Sequence, residues 1–171
     1  MTQLYDFWKT VTGLPVVGPA VGTRVFTFAF SRKAPYFGSI HPRVVELRPN
    51  YAEVVVPNRR SNHNHIGTVH AIALCNGLEM AMGALAEASI SPDKRWIPKG
   101  MEVAYTAKAT SDITCIAETD QAQWDSEDPD LPVRVRAVRD DGAVVVDGVI
   151  KLWVTPKKDA ARTAAPNAAH A

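Results

Sequence analysis

Between Ile66 and Ala86 the only ionisable side chains besides Cys75 are His70 and Glu79. Ala, Leu, Met and Glu dominate residues 69–88, so propensity predicts a long helix there, with Thr68 as its N-cap. A helix that is apolar on nearly every face has to be surrounded rather than laid on a surface. A membrane span is the competing reading. Glu79 and Asn76 within the segment argue against it, since a carboxylate in lipid costs several kcal/mol.

The elements around this helix are strands. Residues 43–48 and 51–56 read as two strands joined by a turn at Pro49 and Asn50. A polar loop, residues 57–65, leads into the helix. After it, residues 101–109, 113–118, 133–139 and 144–154 are candidate strands rich in β-branched residues. Asp140-Asp141-Gly142 is a hairpin signal between the last two, and residues 125–132 form a longer polar loop. Near the N-terminus, Leu4, Phe7, Trp8 and Val11 recur at helical spacing, which predicts a short amphipathic helix over residues 3–12 ended by Gly13 and Pro15. Residues 25–30 fit either a strand or part of a second helix. The Ala-rich segment 157–171 reads as a disordered tail.

The chain has 171 residues, enough for one domain with its own core and no need of a disulfide or metal to fold. With 19 Lys+Arg against 18 Asp+Glu, no global field favours nucleic acid or an anionic membrane, and neither is expected as a partner. Asp6 and Lys9 fall where the apolar core of a secretory signal would begin. Two prolines and Arg24 make residues 14–30 a poor membrane span. Cys75 and Cys115 have neither metal-ligand nor redox spacing and read as two small buried residues, which suits a reducing cytoplasm. The expected location is therefore cytoplasmic.

Two strands, one long buried helix and then four antiparallel strands describe an α+β hotdog fold, a curved sheet wrapped around a central helix. The expected organisation is an N-terminal extension over residues 1–39, a hotdog domain over 40–156 and the tail.

The residues with chemical potential sit at the start of the helix and in its middle. His70 and Glu79 are nine positions apart, which returns them to one helix face about 13 Å apart along the axis. They therefore cannot share a proton within one chain. A substrate or a two-fold-related subunit has to bring their roles together.

The pattern Asn64-x-x-Gly67-x-x-His70, with Glu79 nine positions on, resembles the active-site segment of hotdog acyl-CoA thioesterases of the phenylacetate and 4-hydroxybenzoyl type. Those proteins commonly carry Asn-x-x-Gly-x-x-His-Gly-Gly followed by Asp or Glu on the central helix. A closer resemblance is to an uncharacterised hotdog branch with Ala after the histidine and an aromatic N-terminal extension, here Tyr5-Asp6-Phe7-Trp8 and Ala34-Pro35-Tyr36-Phe37-Gly38. The resemblance implies that Glu79 attacks the thioester carbonyl or activates water. It implies that Asn64 positions water or carbonyl, and that the Ala71 N–H contributes to an oxyanion hole. His70 orients that turn or contacts the carbonyl, and Gly67 lets the loop approach substrate. No cofactor is implied. The substrate is an acyl thioester of coenzyme A or an acyl carrier, and the assembly a homo-oligomer, a dimer or a dimer of dimers. One departure is that Ala71-Ile72 replaces the family Gly-Gly, which keeps the backbone N–H but adds bulk beside the thioester.

Other readings attach to the same residues. Glu79 also reads as a buried carboxylate paired across an interface, His70 as a helix cap, and Asn64 and Gly67 as turn residues. His63, His65 and His70 lie close in sequence, but their spacing matches no standard zinc arrangement and no metal is expected. Arg59-Arg60, Lys94, Arg95 and Lys99 read as solvated surface, with phosphate pairing as the functional alternative. Ile72, Met80, Met82 and Phe37 fit either an acyl pocket or the core. A non-catalytic acyl-ligand-binding hotdog protein is the alternative function. A hotdog dehydratase ranks third, because its usual histidine and carboxylate geometry differs.

Overall fold

A computed structural model describes residues 2–13 and 18–157. The disordered tail expected from residue 157 lies outside the described residues beyond Lys157, as does Pro15. Two helices come first, α1 (Gln3–Thr12) and α2 (Pro19–Lys33), then a 3₁₀ turn over Pro35–Ile40. Strands β1 (Arg43–Arg48) and β2 (Tyr51–Val56) precede the long helix α3 (Ala71–Ser89). Strands β3 (Lys94–Tyr105) and β4 (Ile113–Glu118), the short helix α4 (Gln121–Asp125), β5 (Asp130–Arg139) and β6 (Val144–Pro156) follow. The strands form one antiparallel sheet in the order β1-β2-β4-β5-β6-β3. This is the hotdog arrangement, with α3 held against the concave face.

The alternation of side chains makes the inner face. Ala52, Val54 and Val56 of β2 point inward, as do Leu131, Val133, Val135 and Ala137 of β5. Arg134 and Arg136 of β5 face the other way and pair with Asp120 and Glu118. Against that face α3 sets Leu74, Leu78, Ala81 and Leu85, and Met80, Met82 and Ala84 are buried as well. By length and composition α3 would cross a membrane, but 67% of its most apolar window is buried inside the fold. Met80 and Met82 are both fully buried. Cys115 lies under the helix and burial pushes its thiol well above the usual range. Cys75 departs from the expectation of a buried residue: it is half-buried, 3.6 Å from the Tyr105 hydroxyl. It lies on the part of α3 that the sheet leaves open.

The ambiguous stretch before β1 is helical, not a strand. Phe26 and Phe30 of α2, one turn apart, pack under α1, with Trp8 edge-on to Phe26 at 4.9 Å and Phe30 5.6 Å from Phe37. This aromatic row roofs the face of α3 opposite the sheet. Asn76 ties α3 to the 3₁₀ turn through the Tyr36 carbonyl, 3.3 Å from its Nδ2. β3 begins at Lys94, well before the expected residue 101, because a bulge at Pro98–Gly100 lets the proline sit in an edge strand paired only with β6. The loop expected at 125–132 is shorter, with α4 on one side and β5 on the other.

Gly77 sets how close α3 comes to the sheet. A Cβ built there would stand 2.5 Å from Val56 Cγ2 and 2.8 Å from Cys115 Sγ, both on fully buried side chains. Gly77→Ala is expected to destabilise the protein by about 1–3 kcal/mol, against a helix-propensity gain of about 1 kcal/mol. Urea unfolding measures the difference. A midpoint equal to or above wild type would show that helix and sheet separate freely at this point.

Candidate active site

The loop from Pro57 to His70 is fastened by Asn62, a residue that no sequence pattern singles out. Its buried amide donates to the carbonyls of Ile40 and Pro57, at 2.8 and 3.0 Å, while its own carbonyl accepts the His70 N–H at 2.7 Å. The signal for it is weak, a single asparagine in a run of polar residues. Its importance depends on contacts distant in sequence.

Asn64 builds the turn that follows. Its Oδ1 accepts the N–H groups of Ile66 and Thr68, its Nδ2 donates to Thr68 Oγ1 at 2.9 Å, and its carbonyl accepts the Gly67 N–H. Gly67 sits at φ +78, a conformation that L side chains rarely adopt, and this lets the chain turn back within one step. Thr68 is thereby engaged with Asn64 and is not the N-cap. That position belongs to His70, whose extended backbone precedes Ala71 and whose Nδ1 accepts the Ile72 N–H at 3.1 Å. With Nδ1 accepting, Nε2 carries the ring proton in the neutral side chain.

The cap leaves the N–H groups of Ala71 and Ala73 without an acceptor among the described residues, at the positive end of the α3 dipole. Ile72 projects outward, 55% exposed, and does not cover that helix start within the chain.

Glu79 lies elsewhere. It lines a cleft of about 300 Å³ whose other walls include Phe30, Phe37, Met82, Trp96 and Pro98. Neither a hydrogen bond nor an ion pair reaches its carboxylate from the described residues, although Lys33 and Glu87 also line the cleft. Glu87 accepts the Trp96 indole N–H at 3.1 Å. Phe37 thus stands at the cleft, and Met82 is both core and cleft wall. None of Asn64, Gly67, His70 and Ala71 lines it. Within one chain the structure places Asn64, Gly67, His70 and Ala71 together at the helix start, and Glu79 apart from them.

The remaining polar residues divide. His63 Nε2 is 2.6 Å from Asn58 Oδ1 and His65 is exposed. Among the described residues no three His, Cys, Asp or Glu side chains come together as a metal site. Lys99 pairs with Asp130, Lys94 donates to the carbonyls of Trp124 and Ser126, and Arg95 donates to Thr155. Arg59 lines a separate hollow beside β1.

Residues 22–154 match the model of a domain of unknown function, DUF4442. The chain belongs to the DUF4442 family. A structural-genomics crystal structure of target APC5556 is 44% identical, covers 90% of this chain and 99% of its own, and superposes with a TM-score of 0.76. A protein of unknown function from Pseudomonas aeruginosa, PA5026, described as a probable thioesterase, is 22% identical over 79% of this chain and 96% of its own, with a TM-score of 0.70. The thioesterase HI1161 from Haemophilus influenzae shares 9% identity over 71% of this chain and 82% of its own, with a TM-score of 0.62. The last two share the hotdog fold with this DUF4442 chain. No curated protein matches it.

The turn at Gly67 carries a measurable cost for any other residue. Gly67→Ala is expected to lose about 1–2 kcal/mol of stability from the left-handed backbone alone, since a Cβ there meets no atom within 4 Å. Unfolding curves that overlay wild type would show that the Asn64 turn relaxes without penalty.

Proposed function

We propose that this protein is an acyl-CoA thioesterase, hydrolysing an acyl thioester to a carboxylic acid and a free thiol. The observation that carries the reading is the Glu79 carboxylate on the central helix, with no hydrogen bond or ion pair among the described residues, in a cleft walled largely by apolar side chains. A carboxylate so placed, beside space shaped for an acyl chain, is suited to take a proton from water or to attack a carbonyl carbon itself. In the first course water adds to the carbonyl, Glu79 takes its proton, and the tetrahedral oxyanion collapses with the C–S bond breaking. The thiolate leaves and regains a proton.

The oxyanion needs donors that Glu79 does not have beside it. The Ala71 N–H at the α3 start supplies one, with the helix dipole behind it. Since the two groups are about 12 Å apart along the same helix, the donor comes from a second subunit. We therefore propose a homodimer, or a dimer of such dimers, with β3 at or near the interface. In the hydrogen-bonded order of the described sheet, β3 is an edge strand, and it exposes Ile97 and Tyr105. In that arrangement the partner's helix start faces the Glu79 cleft. His70 holds the cap that aims the donor, and Asn64 holds the turn before it. With two free cysteines, the proposed compartment is the reducing cytoplasm.

A specific observation favours the second reading, an acyl-ligand-binding protein without turnover. The Asn64 amide and the His70 Nδ1 are already engaged by their own loop and helix, which leaves Asn64 less free to hold water.

Free-thiol release from a panel of aromatic and aliphatic acyl-CoAs, wild type against Glu79→Gln, separates the two. Turnover of at least one substrate, lost roughly a hundredfold or more in the variant, is expected. Equal rates, or tight acyl-CoA binding with no thiol released, would give the second reading the lead. An enoyl product would point instead to a dehydratase.

A further inference from the structure

We propose that the hollow between α2 and the β1–β2 edge binds the phosphorylated nucleoside end of coenzyme A. The identity of the carrier rests on the thioesterase reading. The chemistry of the site does not.

The hollow has a volume of about 590 Å³ and is walled by Arg24 and Phe28 of α2, Arg43 of β1, His41, and Arg59 in the loop after β2. A volume in this range suits a small ligand. Its three guanidinium groups have no ion pair or hydrogen bond among the described residues. Elsewhere on the surface Arg48, Arg136 and Arg139 each meet a carboxylate, whereas the three that line this one hollow meet none among the described residues. Asp112 is the one carboxylate in the lining, and its Oδ1 already accepts the Asn58 N–H at 2.8 Å. Arginine pairs bidentately with phosphate oxygens, and three of them on separate elements match several phosphates on one molecule better than one anion.

Phe28 adds the second part of the chemistry. Its ring is 67% exposed, with the Arg32 guanidinium 5.8 Å from its centroid, and it borders the arginines. An exposed aromatic face beside cations offers stacking to a base whose phosphates the cations hold. The frame is built: Thr27 Oγ1 accepts the buried Val44 N–H at 2.9 Å, which joins α2 to β1 beneath the hollow. Arg59 also belongs to the loop that carries Asn64 to the helix start, which joins the hollow to that loop through the chain.

The test is calorimetric titration of the full chain with coenzyme A, 3′,5′-ADP, pantetheine and inorganic phosphate. Coenzyme A and 3′,5′-ADP are expected to bind, inorganic phosphate at least roughly tenfold more weakly, and pantetheine, which lacks phosphate and base, not measurably. Arg24→Ala, Arg43→Ala and Arg59→Ala should each weaken 3′,5′-ADP roughly tenfold, and Phe28→Ala several-fold. Arg→Gln variants replace any alanine variant that lowers Tm. The proposal is overturned if 3′,5′-ADP binds no better than inorganic phosphate. It is also overturned if folded arginine variants keep wild-type affinity, or if only an acyl carrier protein binds. Glu79→Gln is expected to keep its affinity for 3′,5′-ADP. Intact binding without any turnover would remove the thioesterase reading and leave the site standing, whereas turnover indifferent to all three arginines would do the reverse.

Discussion

The close approach of α3 to the sheet at Gly77 is the constraint on which the rest depends. With no side chain at that point the helix settles against Val56 and Cys115, and the residues above and below it, Leu74, Leu78, Ala81 and Leu85, fill the concave face. A helix so placed carries a carboxylate at its middle, Glu79, and presents it on the side away from the sheet. The aromatic row of α1 and α2 then closes over that side. The cleft at Glu79 is what remains between a helix set by the sheet and a roof set by Phe30 and Phe37.

The helix start follows a different logic, one of hydrogen-bond accounting. A helix leaves its first N–H groups without internal partners. Here His70 satisfies one of them with its own ring, Asn62 accepts the N–H of His70, and the Asn64 turn holds the approach. Two donors, those of Ala71 and Ala73, meet no acceptor among the described residues at the positive end of a 19-residue helix. The fold thus makes an anion-favouring helix start and a largely apolar cleft with a carboxylate, and keeps them apart on one rigid element. In the proposed thioesterase a second copy brings the two together.

Much of this was legible in residue chemistry. Absence of charge marked α3 as surrounded, and turn signals with β-branched runs marked β1, β2, β4 and the cores of β5 and β6. The site residues were singled out by their types and spacing, but their local work was not. Thr68 reads as the cap until Asn64 is seen to hold it, and the cap then falls to His70 two positions later. Asn62 escaped notice because its partners, Ile40 and Pro57, are set by the fold. The start of β3 was hidden by Pro98 and by charged residues that an interior strand does not tolerate, yet an edge strand with a bulge accepts both.

The helix α2 was the least legible element, and the reason bears on function. Its side chains form two stripes. Phe26, Phe30 and Lys33 lie at spacings of four and three and turn toward α1 and the Glu79 cleft, while Arg24, Thr27, Phe28 and Ser31 turn toward the hollow beside β1. A helix with an apolar residue on both stripes has no single hydrophobic face, so its periodicity is weak and a strand fits as well. The exposed Phe28 that blurred the pattern makes sense as a surface kept for something outside the chain. One short helix, added before the first strand, therefore forms a wall of both cavities. The segment before β1 supplies Arg24 and Phe28 to the hollow and Phe30 and Phe37 to the Glu79 cleft, so a change in how α2 packs moves a wall of both.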